Sequence, residues 1–307
     1  MAAGSKKVII AALIGNALIA ITKFAAATVT RSSAMLSEGI HSLVDTGNQI
    51  LLLYGLKRAR KPADEEFPFG YGKELYFWSF VVAILIFAVG AGVSIYEGIR
   101  HVRHPESMGS PHVNYIVLAL AMVFEGAAWY FAFREFGKHK GKRGYLRAVH
   151  EGKDPAMFVV LFEDSAAMLG LVVAFAGVLL TDLTGILYFD GIASIVIGLL
   201  LGATAAWLAW ETKSLLIGES AEPEVVRGIR HITGAYPEVV HVNEVLTLHM
   251  GPEFILVNLS VDFADSIMAE EIETVIAAMN RGIKEKFPRV KRVFVEAESR
   301  AAGSRSG

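Results

Sequence analysis

The chain contains no cysteine, so disulfide bridges and thiolate metal ligands are both excluded. It also lacks the HExxH and GxSxG patterns of metalloproteases and serine hydrolases, and it has no nucleotide-binding loop. Its net charge of −2 by itself says nothing about partners. These absences argue against an enzyme and direct attention to the apolar content of the chain.

Apolar residues make up 53% of the 307 residues, and the mean hydropathy is +0.46. A soluble domain of this length would be more polar, and a membrane-spanning helix needs about 20 mostly apolar residues. The first apolar segment has no small-residue cleavage site before Arg31, which predicts a retained helix rather than a signal peptide. We therefore predict an α-helical polytopic membrane protein with six transmembrane helices, at roughly 8–30, 35–56, 76–99, 113–133, 155–180 and 186–210.

Lysine and arginine are concentrated in alternate connections between these segments. The connection between segments 2 and 3 holds five, and that between segments 4 and 5 holds seven, from Arg134 to Lys153. Because positively charged loops remain in the cytoplasm, both termini are predicted to be cytoplasmic. The basic run before segment 5 is interpreted as a topology signal rather than a nucleic-acid site. The expected location is the plasma (inner) membrane of a prokaryote.

The sequence becomes charged after Gly218, where no further membrane-length segment follows. The pattern predicts a cytoplasmic α+β domain of order αββαβ at 213–300, after a transmembrane domain at 1–212 and before a disordered tail at 301–307. A core of about 80 residues is small, which favours a homodimer formed through an exposed sheet or helix face. The predicted elements are a helix from Pro223 to about Ala235, strands at 239–250 and 254–263, a helix from Ala269 to Phe287, and a strand from Val290 to Glu296.

Several polar or small residues in the apolar segments are interpreted as structural. Asn16 and Lys23 in segment 1 are assigned to packing and snorkelling. Asp190, at the start of segment 6, is assigned to helix capping. Segment 6 also has a stripe of small residues that lets another helix approach closely: Ser194, Gly198, Gly202 and Ala206.

Segment 2 carries the strongest functional signal. His41 and Asp45 are four residues apart and therefore lie on one helix face, with Glu38 one turn before them and Asn48 one turn after. Ionisable groups inside a membrane span are rare and usually mark a partner or an ion path. Imidazole and carboxylate together are ligands for divalent transition metals. The stripe therefore predicts an intramembrane metal site, with a pure proton path as the alternative.

Segments 4 and 5 supply the remaining candidate groups. Glu163 and Asp164 are adjacent in segment 5, about 100° apart around the helix, so both can hardly face one cavity equally. Glu163 is a candidate second ligand, proton acceptor or partner of His41. Glu125 in segment 4 is a candidate member of the ion path. Glu163, Glu125, Asn48 and water all remain candidates for the fourth ligand.

Three runs of sequence together resemble the cation diffusion facilitator family. They are Ser-Glu-Gly-Ile-His-Ser-Leu-Val-Asp at 37–45, Pro-Ala-Asp-Glu-Glu at 62–66, and Phe-Gly-Tyr-Gly-Lys at 69–73. The Leu-Phe-Glu-Asp-Ser run at 161–165 resembles the subgroup that contains the ninth mammalian zinc transporter. The resemblance implies a homodimeric divalent-metal/proton antiporter with six spans and a cytoplasmic αββαβ domain. It also implies that His41 and Asp45 bind the transported ion together with Asp164.

The chain departs from the family pattern in three places. Val160 stands where segment 5 normally has a ligand, and the loop after segment 2 has Phe67 and Tyr71 where histidines are common. The usual His-x-Asp-Pro ending is replaced by Val-Glu-Ala-Glu at 295–298. His241 and His249 remain in the C-terminal domain, but the pattern places them on the surfaces of strands. We therefore expect no loop site and no regulatory metal site.

The predicted function is efflux of a divalent transition metal by proton antiport, with no cofactor beyond the transported ion. Zinc is the first expectation because His41, Asp45 and Asp164 offer nitrogen and oxygen ligands. Manganese, iron(II) and cobalt are alternatives, since Val160 removes one nitrogen ligand. Metal binding needs a neutral imidazole and ionised carboxylates, so metal and protons compete. The rival classes are a non-transporting metal sensor or scaffold, and a transporter of protons or a small organic cation.

Overall fold

The computed structural model describes residues 3–105, 111–139, 144 and 155–300. Within these residues the chain forms six long helices, two shorter helices and three strands. The predicted disordered tail and most of the basic connection before segment 5 lie outside the described residues. The long helices are α1 (Ala3–Thr30), α2 (Ser33–Arg58), α3 (Glu74–Arg103), α4 (Pro111–His139), α5 (Pro155–Thr184) and α6 (Tyr188–Ile217).

Each predicted apolar window coincides with one of these long helices. Among the described residues, the helices α3, α4, α5 and α6 are long and apolar enough to cross a membrane. The apolar stretch of α1 within the searched residues is shorter, Asn16–Thr30. Helix α2 is less apolar because Glu38, His41 and Asp45 interrupt it. The prediction of a helical membrane domain is therefore confirmed.

Helices α3 and α6 pack at very short range, as the small-residue stripe predicted. A Cβ atom at Gly98 of α3 would lie 2.7 Å from the carbonyl oxygen of Gly191 in α6. A Cβ atom at Gly198 of α6 would lie 3.0 Å from the carbonyl oxygen of Ala91. The Ser194 hydroxyl also donates to the Ser94 carbonyl at 2.8 Å. Ser194, Gly198 and Gly202 are thus confirmed as a packing surface, whereas Ala206 at the end of the stripe is exposed.

The chain divides into two compact units. The first consists of residues 1–57 and 75–213, and the second consists of 58–74 and 214–307. The connection between α2 and α3 thus groups with the C-terminal region, which composition and periodicity alone did not indicate.

The second unit contains the αββαβ order that the sequence predicts. The sheet order is β1-β2-β3, with β1 and β2 antiparallel and β2 and β3 parallel. The inward residues predicted for β2, Ile255 to Val261 in alternation, are fully buried, and Ile229, Met279 and Ile283 from the helices join the same core. The elements are α7 (Pro223–Thr233), β1 (Val239–Gly251), β2 (Phe254–Phe263), α8 (Ala269–Lys286) and β3 (Val290–Ala297).

The two histidines of β1 differ in burial. His241 is exposed, as expected, but His249 is fully buried, so its assignment to the surface is wrong. The strand pairing is irregular between His249 and Gly251, and the Nδ1 atom of His249 lies 3.3 Å from the Gly251 carbonyl oxygen. The backbone N–H of His249 also donates to the carbonyl of Glu219 at 3.0 Å, which links the start of the domain to the strand.

The connection at 58–74 packs closely on the β1–β2 hairpin of its own unit. A Cβ atom at Gly72 would overlap the carbonyl oxygen of Met250 and lie 3.2 Å from the Cα atom of Gly251. Lys73 donates to the Leu216 carbonyl at 3.4 Å. Glycine at position 72 is therefore required by backbone-to-backbone contact, and the Gly-Tyr-Gly-Lys run has a structural role here.

We predict that Gly72→Ala loosens this contact and destabilises the second unit by about 1–3 kcal/mol, because the added methyl group meets backbone that cannot move aside cheaply. Hydrogen exchange of residues 58–74 in the full chain measures the effect. The matched control is Gly47→Ala, whose Cβ atom would meet nothing within 4 Å. Unchanged exchange in Gly72→Ala would contradict the contact.

Asp64 organises the same connection through several hydrogen bonds. Its Oδ2 atom accepts from Lys61 Nζ at 2.8 Å and from the Tyr71 hydroxyl at 2.7 Å, and its Oδ1 atom accepts from the Phe67 N–H at 2.9 Å. These bonds to Lys61, Tyr71 and Phe67 hold the pKa of Asp64 well below its usual range. The lowered pKa means that the ionised carboxylate stabilises the folded connection.

This stabilisation is present above the ordinary aspartate pKa of about 3.9 and is lost as the pH falls towards the lower pKa of the folded state. We predict that Tyr71→Phe, which removes one donor, raises the pKa of Asp64. Carboxyl-carbon NMR of the labelled protein in micelles gives that pKa directly. Tyr96→Phe is the control, since Tyr96 is exposed on α3. An Asp64 pKa that is the same in Tyr71→Phe as in the wild type would show that the hydroxyl does not bind the carboxylate.

Candidate metal centre

Asp190 fixes the N-terminus of α2. The Ser32 hydroxyl accepts the Met35 N–H at 3.1 Å, which is an N-cap interaction. Asp190, from the first turn of α6, accepts hydrogen bonds from the Ser32 hydroxyl and from the Ser33 N–H, both at 2.5 Å. The predicted capping role of Asp190 is confirmed, although it caps α2 rather than its own helix. A carboxylate at this helix end also complements the helix dipole.

The polar stripe of α2 is buried along its length. Glu38 and Asn48 are fully buried, His41 is 1% exposed, and Asp45 is 8% exposed. The helical spacing of these residues places them on one face, as the sequence predicts. The Nδ1 atom of His41 lies 3.4 Å from Oδ1 of Asp45. Imidazole and carboxylate thus share one buried face of a helix in the first unit.

Lys23 of α1 joins this face, which the sequence interpretation missed. Its side chain is fully buried, so the assignment to snorkelling is wrong. The ammonium donates to Glu38 Oε2 at 3.0 Å, Ser42 Oγ at 2.9 Å and Glu125 Oε1 at 2.7 Å. The signal that could have found it is charge balance, since a lysine in one span and lone glutamates in two others are expected to pair.

Glu163 and Asp164 of α5 lie differently, as their adjacency predicts. Glu163 is 4% exposed and accepts a hydrogen bond from Asn48 Nδ2 at 2.6 Å. Its carboxyl group also lies within hydrogen-bonding reach of the Asp45 carboxyl group. Asp164 is less buried, but it lies close enough for its charge to act on Asp45. The structure therefore places Glu163 against α2 and Asp164 beside it.

Among the described residues, no group of three or more His, Asp or Glu side chains has an arrangement that would hold a metal ion. The stripe nevertheless has unused coordinating atoms. The buried side-chain atoms of this region that have no hydrogen-bond partner are Glu38 Oε1, both ring nitrogens of His41, Asp45 Oδ1, Asn48 Oδ1, Gln49 Oε1 and Glu125 Oε2. Nearly all are acceptors, and buried acceptors without partners are costly unless a cation or a proton satisfies them. Their chemistry fits a divalent transition metal.

These features define a multi-pass helical membrane protein with a charged interior and a small α/β domain. Residues 9–217 match the model of the cation efflux transmembrane domain, which is more than half of the chain. The chain therefore belongs to the cation efflux family, also called the cation diffusion facilitator family, which is a family of transporters and not of enzymes. The resemblance seen in the sequence is confirmed.

The chain is similar to several named members of this family. The proton-coupled zinc antiporter SLC30A9, mitochondrial, of Xenopus laevis is 36% identical over 262 residues, which cover 85% of this chain and 47% of that protein. Metal tolerance protein C4 of Arabidopsis thaliana is 32% identical over 72% of this chain and 49% of its own length. The manganese efflux system protein MneP of Bacillus subtilis is 23% identical over 95% of both chains. The chain thus spans about half the length of the first two relatives.

The bond between Asn48 and Glu163 is a testable part of this geometry. We predict that Asn48→Leu lowers the stability of the protein by about 1–3 kcal/mol, because it leaves the buried Glu163 carboxyl group without its amide donor. Thermal unfolding in detergent measures the effect. Ile50→Leu is the control, since Ile50 is exposed on the same helix. An unchanged unfolding temperature in Asn48→Leu would place Glu163 elsewhere.

Proposed function

We propose that this chain exports a divalent transition metal from the cytoplasm in exchange for protons. The observation that carries the proposal is the buried stripe of α2, on which His41 and Asp45 present coordinating atoms without hydrogen-bond partners opposite Glu163 of α5. Membership of the cation efflux family supports the same conclusion. The names of two relatives, a proton-coupled zinc antiporter and a manganese efflux protein, agree with it.

The charges of the region explain why metal and protons would exchange. The carboxyl groups outnumber the single ammonium group of Lys23, so full ionisation would leave uncompensated negative charge inside the membrane. A single charge at that depth costs about 2.5–3.5 kcal/mol on insertion scales. Protons or a divalent cation compensate the excess, and both bind to the same atoms. Occupancy by one therefore displaces the other, which is the chemical requirement of antiport. The carboxyl groups concerned are Glu38, Asp45, Glu125, Glu163 and Asp164.

The proposed ligands are His41, Asp45 and Asp164, with Glu163, Glu125 and Asn48 as the candidates for the remaining position. Glu163 is the strongest of these because it already lies against Asp45. Since Glu163 and Asp164 are about 100° apart on α5, a rotation of that helix exchanges the carboxylate that faces α2. We propose that such a rotation brings Asp164 into the metal-bound site.

The proposed arrangement in the membrane has six spans and cytoplasmic termini, in the plasma membrane of a prokaryote. The distribution of lysine and arginine supports the orientation. The proposed assembly is a homodimer. The outer face of the C-terminal sheet supports it, because Leu246 of β1 and Phe294 of β3 flank Asn258 in one row and are 52% and 50% exposed. Large apolar side chains exposed on one face of a sheet are consistent with an interface there.

Zinc is the proposed ion because His41 adds a nitrogen ligand to the carboxylates. Manganese, iron(II) and cobalt are the proposed alternatives, because oxygen atoms outnumber nitrogen atoms among the buried atoms of this region that lack partners.

Metal flux into proteoliposomes tests the function, using the full chain, a panel of Zn²⁺, Mn²⁺ and Co²⁺, and an imposed pH gradient. We predict flux that follows the gradient, and losses of about 10- to 100-fold or more in His41→Ala, Asp45→Ala and Asp164→Ala. Asp182→Ala is the matched control, since this aspartate is exposed near the end of α5.

The possible outcomes separate the alternatives. Metal binding without flux would indicate a sensor or scaffold. A metal flux that stays unchanged when the pH gradient is collapsed, and when the pH is varied between about 6 and 8, around the reference pKa of histidine, would indicate a channel. Wild-type flux in Asp164→Ala, together with loss in Glu163→Ala, would assign the ligand role to Glu163.

A further inference from the structure

The ammonium group of Lys23 sits in a cation site built by two other helices. Its three N–H bonds are directed to two carboxylates and a hydroxyl, from Glu38 and Ser42 of α2 and Glu125 of α4. Lys23 and Glu38 are fully buried, and the Glu125 side chain is 11% exposed. A lysine has only three donors, so the site uses its full bonding capacity.

The atoms around the ammonium group of Lys23 would also suit a metal cation. Glu38 Oε1 and Glu125 Oε2 are buried and have no hydrogen-bond partner, so each carboxylate keeps one oxygen free beside the ammonium. Gly170 brings the backbone of α5 against the first of these, since a Cβ atom there would lie 2.5 Å from Glu38 Oε1. Two carboxylates and a hydroxyl are hard oxygen ligands of the kind that Mn²⁺ and other divalent cations accept.

We propose that the ammonium group of Lys23 occupies a second cation site, between Glu38 and Glu125. Because that site is filled, divalent ions bind only at the His41–Asp45 part of the stripe. Ser42, which binds the ammonium, directly follows His41 in sequence, so the two sites are neighbours on α2. The proposal deepens the proposed transport function and rests on it for the flux measurement only. Lys23 acts as a specificity-determining residue that does not itself touch the transported ion.

The test varies the net charge of the group formed by Lys23, Glu38 and Glu125. In the wild type, one ammonium and two carboxylates leave a single negative charge. Lys23→Met removes the ammonium at similar length and leaves two negative charges, which is a site for a divalent ion. Lys23→Met combined with Glu125→Gln restores the single negative charge without restoring any of the bonds from Lys23. Thr22→Val is the control, since Thr22 is exposed on the same helix and bonds only within it.

The experiment counts Mn²⁺ bound per chain by equilibrium dialysis of the purified full chain, and compares flux in proteoliposomes. We expect Lys23→Met to bind an additional Mn²⁺ ion and to lose flux by about 10- to 100-fold, the usual effect of removing a residue that supports a metal site. The Lys23→Met/Glu125→Gln variant is expected to return to the wild-type Mn²⁺ count. The Thr22→Val control is expected to match the wild type in both.

A wild-type count in folded Lys23→Met would overturn the proposal. So would a double variant no better than the single one, because Lys23 would then act as a structural tie between helices. If Lys23→Met does not fold, recovery of a monodisperse protein with the wild-type count in the double variant supports the proposal, and its failure to fold contradicts it. Absence of flux in the wild type would reject the transport function, whereas the Mn²⁺ counts would still decide the role of Lys23.

Discussion

A charge in a membrane interior must be compensated inside the protein, and the first unit is organised around that constraint. Lys23 of α1 can be buried only because Glu38 of α2 and Glu125 of α4 lie within 3.0 Å of its ammonium group. Glu163 of α5 is held in turn by Asn48. Apolar side chains do little to select neighbours in a lipid environment, because lipid is equally apolar. The polar contacts of α2 therefore specify which helices surround it.

Close backbone packing supplies the complementary part of the arrangement. Helices α3 and α6 approach each other through glycines, and the Ser194 hydroxyl on α6 also contacts the Ser37 hydroxyl on α2. Asp190 at the start of α6 holds the first turn of α2. The polar stripe therefore lies on a helix, α2, whose N-terminus is held in place by α6. The same helix continues through Arg58 into the connection that packs on the β1–β2 hairpin, so it carries the candidate ligands and also leads into the second unit.

Features that depend on a single element could be predicted from the sequence. The helical windows, the alternation of β2 and the stripe from Glu38 to Asn48 all follow from periodicity within one segment. Features that depend on distant partners could not. The ammonium of Lys23 bonds to groups 15, 19 and 102 residues away, and the orientation of Glu163 depends on the rotation of α5 against α2. The burial of His249 depends on an irregular strand end, which no local pattern indicates.

The composition of the stripe limits how the protein can select its ion. Of the buried atoms there that lack partners, only those of His41 are nitrogen, and the position one turn before Asp164 is Val160. Oxygen ligands discriminate weakly among manganese, iron(II), cobalt and zinc, and affinities for a given site follow a common order. For the proposed site, selection among these ions then depends on geometry as well as on the His41 nitrogen, through the number of carboxylates that reach the ion and the distance between α2 and α5. The proposed role of Lys23 would add to that geometry, because its ammonium group occupies one oxygen of Glu38 and one of Glu125.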